Sequence, residues 1–247
     1  MHGRRRCGDD ACVGRLVLVL VACFVVTAPP ADAACGVARP SATRTWRGEL
    51  LGRTAVSARP GGAARHWVTP SQAGALLVLA AQSRSGRCWL QVRLPSRPNV
   101  AKGWVDAERV QVAATPWRIE IRLRSRTVTL LRAGERVRRY RAVVGAPATP
   151  TPRGLFALVE AYPNAPSDFL GSWVVTLTAH SDVLQRYDGG DGRVAIHGRG
   201  GTSLRDPLGS AASHGCVRLT NAAISSIVRR IGQPAIPGTP VRITQSG

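Results

Sequence analysis

The stretch SHGCVRL, Ser213 to Leu219, holds one of six cysteines in a chain of 247 residues. Cys216 reads as a nucleophile, as half of a disulfide or as a metal ligand, and each reading gives a different protein. A thiol becomes a nucleophile when a neighbour lowers its pKa or removes its proton. His214 stands two residues before it, on the same side of an extended segment. His197 lies nineteen residues earlier (216 − 197) and can approach only through the fold. Gly215 lets backbone pass close to a substrate, and the N–H groups of Gly215 and Cys216, just before a helix entry, are candidate oxyanion donors. His197, His214 and Cys216 with a water also make a four-coordinate zinc set. No H-E-x-x-H or C-x-x-C spacing and no nearby Glu supports it, so neither a metal nor a cofactor is expected.

Hydrophobic residues make up 44% of the chain, which excludes global disorder. The formal net charge is +20, and Lys102 is the only lysine, so the basic residues are almost all Arg. Such a field attracts polyanions: nucleic acid, an acidic wall or a membrane surface.

The N-terminus narrows the choice. Arg4, Arg5, Arg6 and Arg15 precede an apolar run, Leu16 to Val26, then Ala31-Asp32-Ala33. A basic end, a short apolar core and an A-x-A site predict a signal peptide over residues 1–33. The rival reading is a lipobox, Leu20-Val21-Ala22-Cys23, which would leave a lipid anchor on Cys23 and so make the membrane a partner. Either way the protein is expected in the periplasm or cell wall, and nucleic acid drops out as a partner. Cleavage removes Cys7, Cys12 and Cys23 and leaves Cys35, Cys88 and Cys216. By parity the simplest bridge is Cys35–Cys88, with Cys216 free.

Residues 34–47 are small and polar and read as a linker. From 48 to 113, five short apolar runs separated by turn residues suggest a small β-barrel. They are Thr54–Arg59, Leu76–Ala80, Cys88–Leu94, Gly103–Val105 and Arg109–Val112. The pattern WLQVRL…GWVDAERVQV resembles bacterial SH3-like domains, with Trp89 and Trp104 as core residues. A second unit spans 117–244. It opens on strict alternation of Ile119, Ile121 and Leu123 against Arg118, Glu120, Arg122 and Arg124, a half-buried strand. Thr127–Leu131 reads as its continuation and Val137–Val144 as its return. GAPATPTPRG (145–154), rich in proline, cannot be regular. Leu155–Val159, Trp173–Leu177 and Arg193–Ile196 are further strands, the last delivering His197 to its end. Thr220 or Asn221 caps a helix carrying Ile224, Ile227, Val228 and Ile231, stopped by Gly232. Val241–Ile243 reads as an edge strand. The expected fold class is mostly β with at least one helix.

Ile196-His197-Gly198, fourteen further residues (199–212), then SHGCVRL resembles the signature of the L,D-transpeptidases, the YkuD family. The resemblance runs from about Trp117 to Ile243 and includes TPRG (151–154), Leu208-Gly209 and GTPVRI (238–243). It implies a mostly β catalytic domain acting on peptidoglycan. Members cleave the bond after meso-diaminopimelate in a tetrapeptide stem, release D-Ala and transfer the acyl group to another stem as a 3→3 crosslink. Stem peptides, as donor and acceptor, are the implied partners, and anionic wall polymers suit the positive surface. Carried over, Cys216 is the nucleophile and His197 the general acid/base. His214, Gly215 and Cys216 surround the oxyanion site, Ser213 supports the loop, and Arg218 with His197 and Gly198 contacts substrate. The segment AHSDVLQRYDGGDGRVA (179–195) departs from the aromatic-rich loop of many members. His180 reads as a loop residue without a role, and Asp188 and Asp191 as flanks of a Gly-Gly turn. The competing class is a wall-binding protein whose YkuD-like domain has lost activity.

Overall fold

The computed structural model describes residues 35–187 and 189–246. The expected signal peptide, Cys7, Cys12, the alternative anchor Cys23 and Asp188 lie outside them.

The described chain is mostly β and builds two sheet systems. The first holds β1 (Thr45–Leu50), β2 (Thr54–Ser57), β3 (Ala64–Val68), β4 (Ala75–Arg84), β5 (Arg87–Arg93), β6 (Lys102–Asp106) and β7 (Val110–Thr115) in one sheet, order β3-β2-β6-β5-β4-β1-β7. A single-turn helix, α1 (Pro70–Ala73), joins β3 to β4. Its core includes Val56, Leu76, Val78, Leu90, Val92 and Val105. Seven strands stand where five apolar runs were legible. β3 escaped notice because four of its five residues are exposed, leaving no alternation to read. β1 begins at Thr45, inside the stretch expected to be linker, and Cys35 there is bridged to Cys88 with Cα atoms 5.5 Å apart. Cys216 is the free cysteine among the described residues.

The second system contains β8 (Trp117–Arg122), β9 (Thr127–Arg132), β10 (Glu135–Arg141), β12 (Gly154–Pro163), β13 (Trp173–His180), β14 (Arg193–His197), β16 (Val217–Arg218) and β17 (Pro240–Thr244). Their order is β10-β9-β8-β17-β12-β13-β14-β16. Two short strands, β11 (Val144–Gly145) and β15 (Ala211–Ser213), pair in parallel beside it. Residues 127–131 do not extend β8. Arg126 turns with φ 52°, and β9 folds back antiparallel, Ile119 facing Leu130. The 240–244 strand is central rather than an edge: it runs parallel to β8 and antiparallel to β12. Val241 and Ile243 are buried on its core face while Arg242 between them is exposed, so the central position comes from the pairing alone.

The helix α2 (Asn221–Ile231) is capped by Thr220, whose side chain accepts from Ala223 N–H at 3.1 Å. It buries Ile224, Ile227, Val228 and Ile231 against the same core as Val175, Ile196 and Val217. That leaves the opposite face of β12, β13, β14 and β16 for the site.

The two systems interlock through the loop between β5 and β6. Arg97 donates to the carbonyls of Ser181, Leu184 and Asp191 at 2.7, 3.2 and 3.1 Å. Asn99 donates to the His180 carbonyl and accepts from His180 N–H. Both thus hold the 181–192 loop from the neighbouring module.

Candidate active site

Strand register assembles the site. β14 and β16 are parallel neighbours with Ile196 beside Val217 and His197 beside Arg218. Ile196 and Val217 face the core, so period two sends Ala195, His197, Cys216 and Arg218 to the other face. Register across β13 and β12 extends two rows on that face. Tyr162, Val174, His197 and Arg218 form one, and Glu160, Thr176 and Ala195 lead to Cys216 in the next. The Cys216 sulfur accepts from Ala195 N–H at 3.4 Å, which seats it in that row. Cys216 and His197 line one small cavity of about 50 Å3, with Phe169, Leu170, Tyr187 and Arg218 among its walls.

The electrostatics favour a neutral resting pair. Burial pushes the His197 pKa down to about 4, reinforced by the Arg218 charge and opposed by the Gly198 and Leu170 carbonyls. Its ring is 1% exposed. The Gly198 carbonyl lies 2.8 Å from Nδ1 and can only accept, so Nδ1 carries the proton and Nε2 is basic. Burial raises the Cys216 thiol, while Ala195 N–H and the Arg218 charge pull it down. Both shifts favour thiol and imidazole over thiolate and imidazolium.

The turn before Cys216 is braced from both sides. Ser213 Oγ donates to the Cys216 carbonyl at 2.5 Å and accepts from Gly215 N–H at 3.2 Å. Thr151 Oγ1 donates to the Gly215 carbonyl, and Thr149 Oγ1 to that of Ser213. Gly215 takes φ +117°, a conformation that a side chain rarely adopts. Its N–H, one of the two expected oxyanion donors, is thus engaged within the turn. His214 is exposed and stacks on Tyr187 with ring centroids 5.2 Å apart, its Nδ1 3.3 Å from the phenol oxygen. It lines the cavity together with the thiol.

Gly198 is required by close approach: a Cβ there would meet the Asn221 side chain and come within 2.9 Å of Ser172 N. Asn221 Oδ1 accepts from Ser172 and Arg199 N–H, tying the loops on either side of the cavity to the start of α2. Arg218 is buried, donates to Asp206 Oδ2 at 2.5 Å and lies 4.8 Å over the Phe169 ring. Sequence reasoning missed Asp206, Phe169 and Tyr187, which act from loops, and read Asn221 only as a possible helix cap. His180 is not an idle loop residue. It ends β13, is buried, and its Nε2 lies 3.0 Å from Asp191 Oδ2. It borders the groove between the modules rather than the thiol's cavity.

Residues 116–243 match the family model for the YkuD L,D-transpeptidase catalytic domain. A Bacillus licheniformis protein assigned as an L,D-transpeptidase YkuD is 28% identical over 173 residues, covering 67% of this chain and 91% of its own. Among solved structures, an L,D-transpeptidase from Xylanimonas cellulosilytica is 27% identical over 53% of this chain and 61% of that one, with TM-score 0.37. The catalytic domain of an Enterococcus faecium L,D-transpeptidase is 20% identical over 52% and 96%, with TM-score 0.36.

Proposed function

Because the chain belongs to the YkuD family of L,D-transpeptidase catalytic domains, we propose that it is an exported peptidoglycan L,D-transpeptidase working through a cysteine acyl-enzyme. The observation that carries this is the pairing of the free Cys216 with His197 in one cavity, on the same face of parallel neighbours. In the reaction His197 Nε2 takes the thiol proton as sulfur attacks the carbonyl carbon of meso-diaminopimelate, the third residue of a tetrapeptide stem. The tetrahedral oxyanion is met by Cys216 N–H and the positive field of Arg218. Collapse breaks the C–N bond, the imidazolium protonates the departing D-Ala amine, and a thioester remains. The amine of an acceptor stem then attacks, gives its proton to His197 and expels the sulfur as a 3→3 crosslink forms.

The expected signal peptide over residues 1–33 supports a periplasmic or wall location, and the +20 charge supports affinity for anionic wall polymers. Incubation with a disaccharide tetrapeptide tests the reading. D-Ala release and a 3→3 dimer by mass spectrometry are expected, both lost in Cys216→Ala. Release by that variant would remove Cys216 from the mechanism. A carbapenem should add its mass to Cys216 in the wild type and not in Cys216→Ala.

A further inference from the structure

We infer that the groove between the two modules is the saccharide subsite of the acyl donor, an inference that rests on the proposed reaction. The groove encloses about 550 Å3, within the roughly 300–1,000 Å3 usual for small-molecule sites. Trp67 and Gln72 of the N-terminal module form one wall; Glu160, His180, Asp191 and Arg193 form the other. That is the lining a sugar needs: an aromatic surface for its C–H face and hydrogen-bonding groups for its hydroxyl edge. Trp67 is 46% exposed, and the Arg53 guanidinium lies 4.4 Å over its ring. On the opposite wall, His180 is 2% exposed and keeps a buried Nδ1 with no hydrogen-bond partner among the described residues, its other nitrogen being held by Asp191.

Position ties the groove to the thiol. Arg193 borders both the groove and the cavity of Cys216. Glu160, in the groove, stands in the same cross-strand row as Cys216, separated from it by Thr176 and Ala195. Three strand steps of about 4.8 Å make that row ~14 Å long. In the acyl-enzyme the third stem residue sits on the sulfur. The first two residues and the lactyl group lie between it and the sugar. Three to four extended units span about 10–14 Å. A stem laid across the strands from Cys216 therefore delivers its sugar to the groove beside Trp67. Burial raises the Tyr162 phenol, and Glu160 and then an ionised Cys216 add to it, in keeping with their places on this face.

The test separates binding from chemistry. Full-length Cys216→Ala protein is titrated calorimetrically with a disaccharide tetrapeptide and with the same tetrapeptide lacking sugar. The sugar-bearing ligand is expected to bind roughly tenfold tighter, a single aromatic platform being able to supply that factor. Adding Trp67→Ala should bring the two affinities within about twofold of each other, while Trp67→Phe keeps most of the difference. Gln72→Ala, on the exposed rim of α1, should shrink it as well. Equal affinities for the two ligands, or an undiminished ratio in Trp67→Ala, would overturn the subsite. Failure of the wild type to release D-Ala while the affinity ratio stands would defeat the proposed reaction and leave the saccharide site supported.

Discussion

Acidification should cost this fold stability through one buried ring. His197 titrates near 4 when folded and near 6.5 in an unfolded chain. Between those values the unfolded state binds a proton that the folded state refuses, so stability is full above 6.5 and falls as pH drops towards 4. The gap, 6.5 − 4, is worth roughly 3 kcal/mol, most of it lost between pH 7 and pH 4. His180 is also lowered by burial and pulls in the same direction, and Asp191 beside it is lowered too. Comparison with His197→Gln removes both, since neither group changes. Urea unfolding followed by tryptophan fluorescence at pH 7, 6, 5 and 4 gives the two curves. The wild type should lose about 3 kcal/mol more than His197→Gln over this range. Parallel losses would refute the reasoning, because the ring would then titrate alike in both states. The same ionisation should appear as the acid limb of kcat/KM near 4; an acid limb at 6.5 would contradict it from the kinetic side.

Three further outcomes follow from the same geometry. Alkylation of Cys216 by iodoacetamide should climb steadily with pH from 6 to 9, since the thiol is raised; a flat rate below 7 would reveal a resting thiolate–imidazolium pair. Asp206→Asn leaves the buried Arg218 guanidinium without its counter-charge; with Asp206 one-third exposed, a loss of roughly 2 kcal/mol in urea unfolding is expected, and no loss would show the pair to be dispensable. Arg97→Ala frees three carbonyls of the 181–192 loop, so amide exchange there should quicken and D-Ala release fall roughly tenfold with little change in Tm. Arg97→Lys should not restore it, because an ammonium lacks the fork that reaches all three, and unchanged exchange in Arg97→Ala would show the clamp to be idle.

What was legible follows from where the physics is stored. Ile119 and Ile121 alternate with charges, and Ile224, Ile227, Val228 and Ile231 recur at helical spacing, so β8 and α2 announce themselves. His197 at the end of β14 and Cys216 before β16 were identifiable because their chemistry sits in the residue type and its immediate neighbours. The register that places them on one face was not. It depends on β14 pairing in parallel with β16, a long-range choice that no local pattern records. Likewise Val241–Ile243 looks like an edge until two neighbours close on it. Arg97 works through backbone carbonyls, which every residue owns, so the partners of that clamp carry no sequence signal at all. Engagement of the Gly215 N–H by Ser213 is equally silent, being a property of the turn rather than of either residue.

The Arg218 charge resolves an apparent conflict in the site. It depresses His197 and Cys216 together, which hinders protonation of the ring while easing ionisation of the thiol. Those effects oppose each other for a resting ion pair, and burial disfavours both of its charges. They cease to compete once negative charge moves from sulfur to a substrate oxygen, because a buried cation stabilises an anion in either place. The imidazolium formed at that moment is offset by the Gly198 and Leu170 carbonyls, which favour the charged ring. In the proposed reaction the cavity is thus matched to the tetrahedral adduct rather than to the free enzyme. Arg218→Gln should accordingly slow acylation by a carbapenem far more than it shifts the pH at which Cys216 alkylates. Equal effects on the two rates would reduce Arg218 to a tuner of the thiol alone.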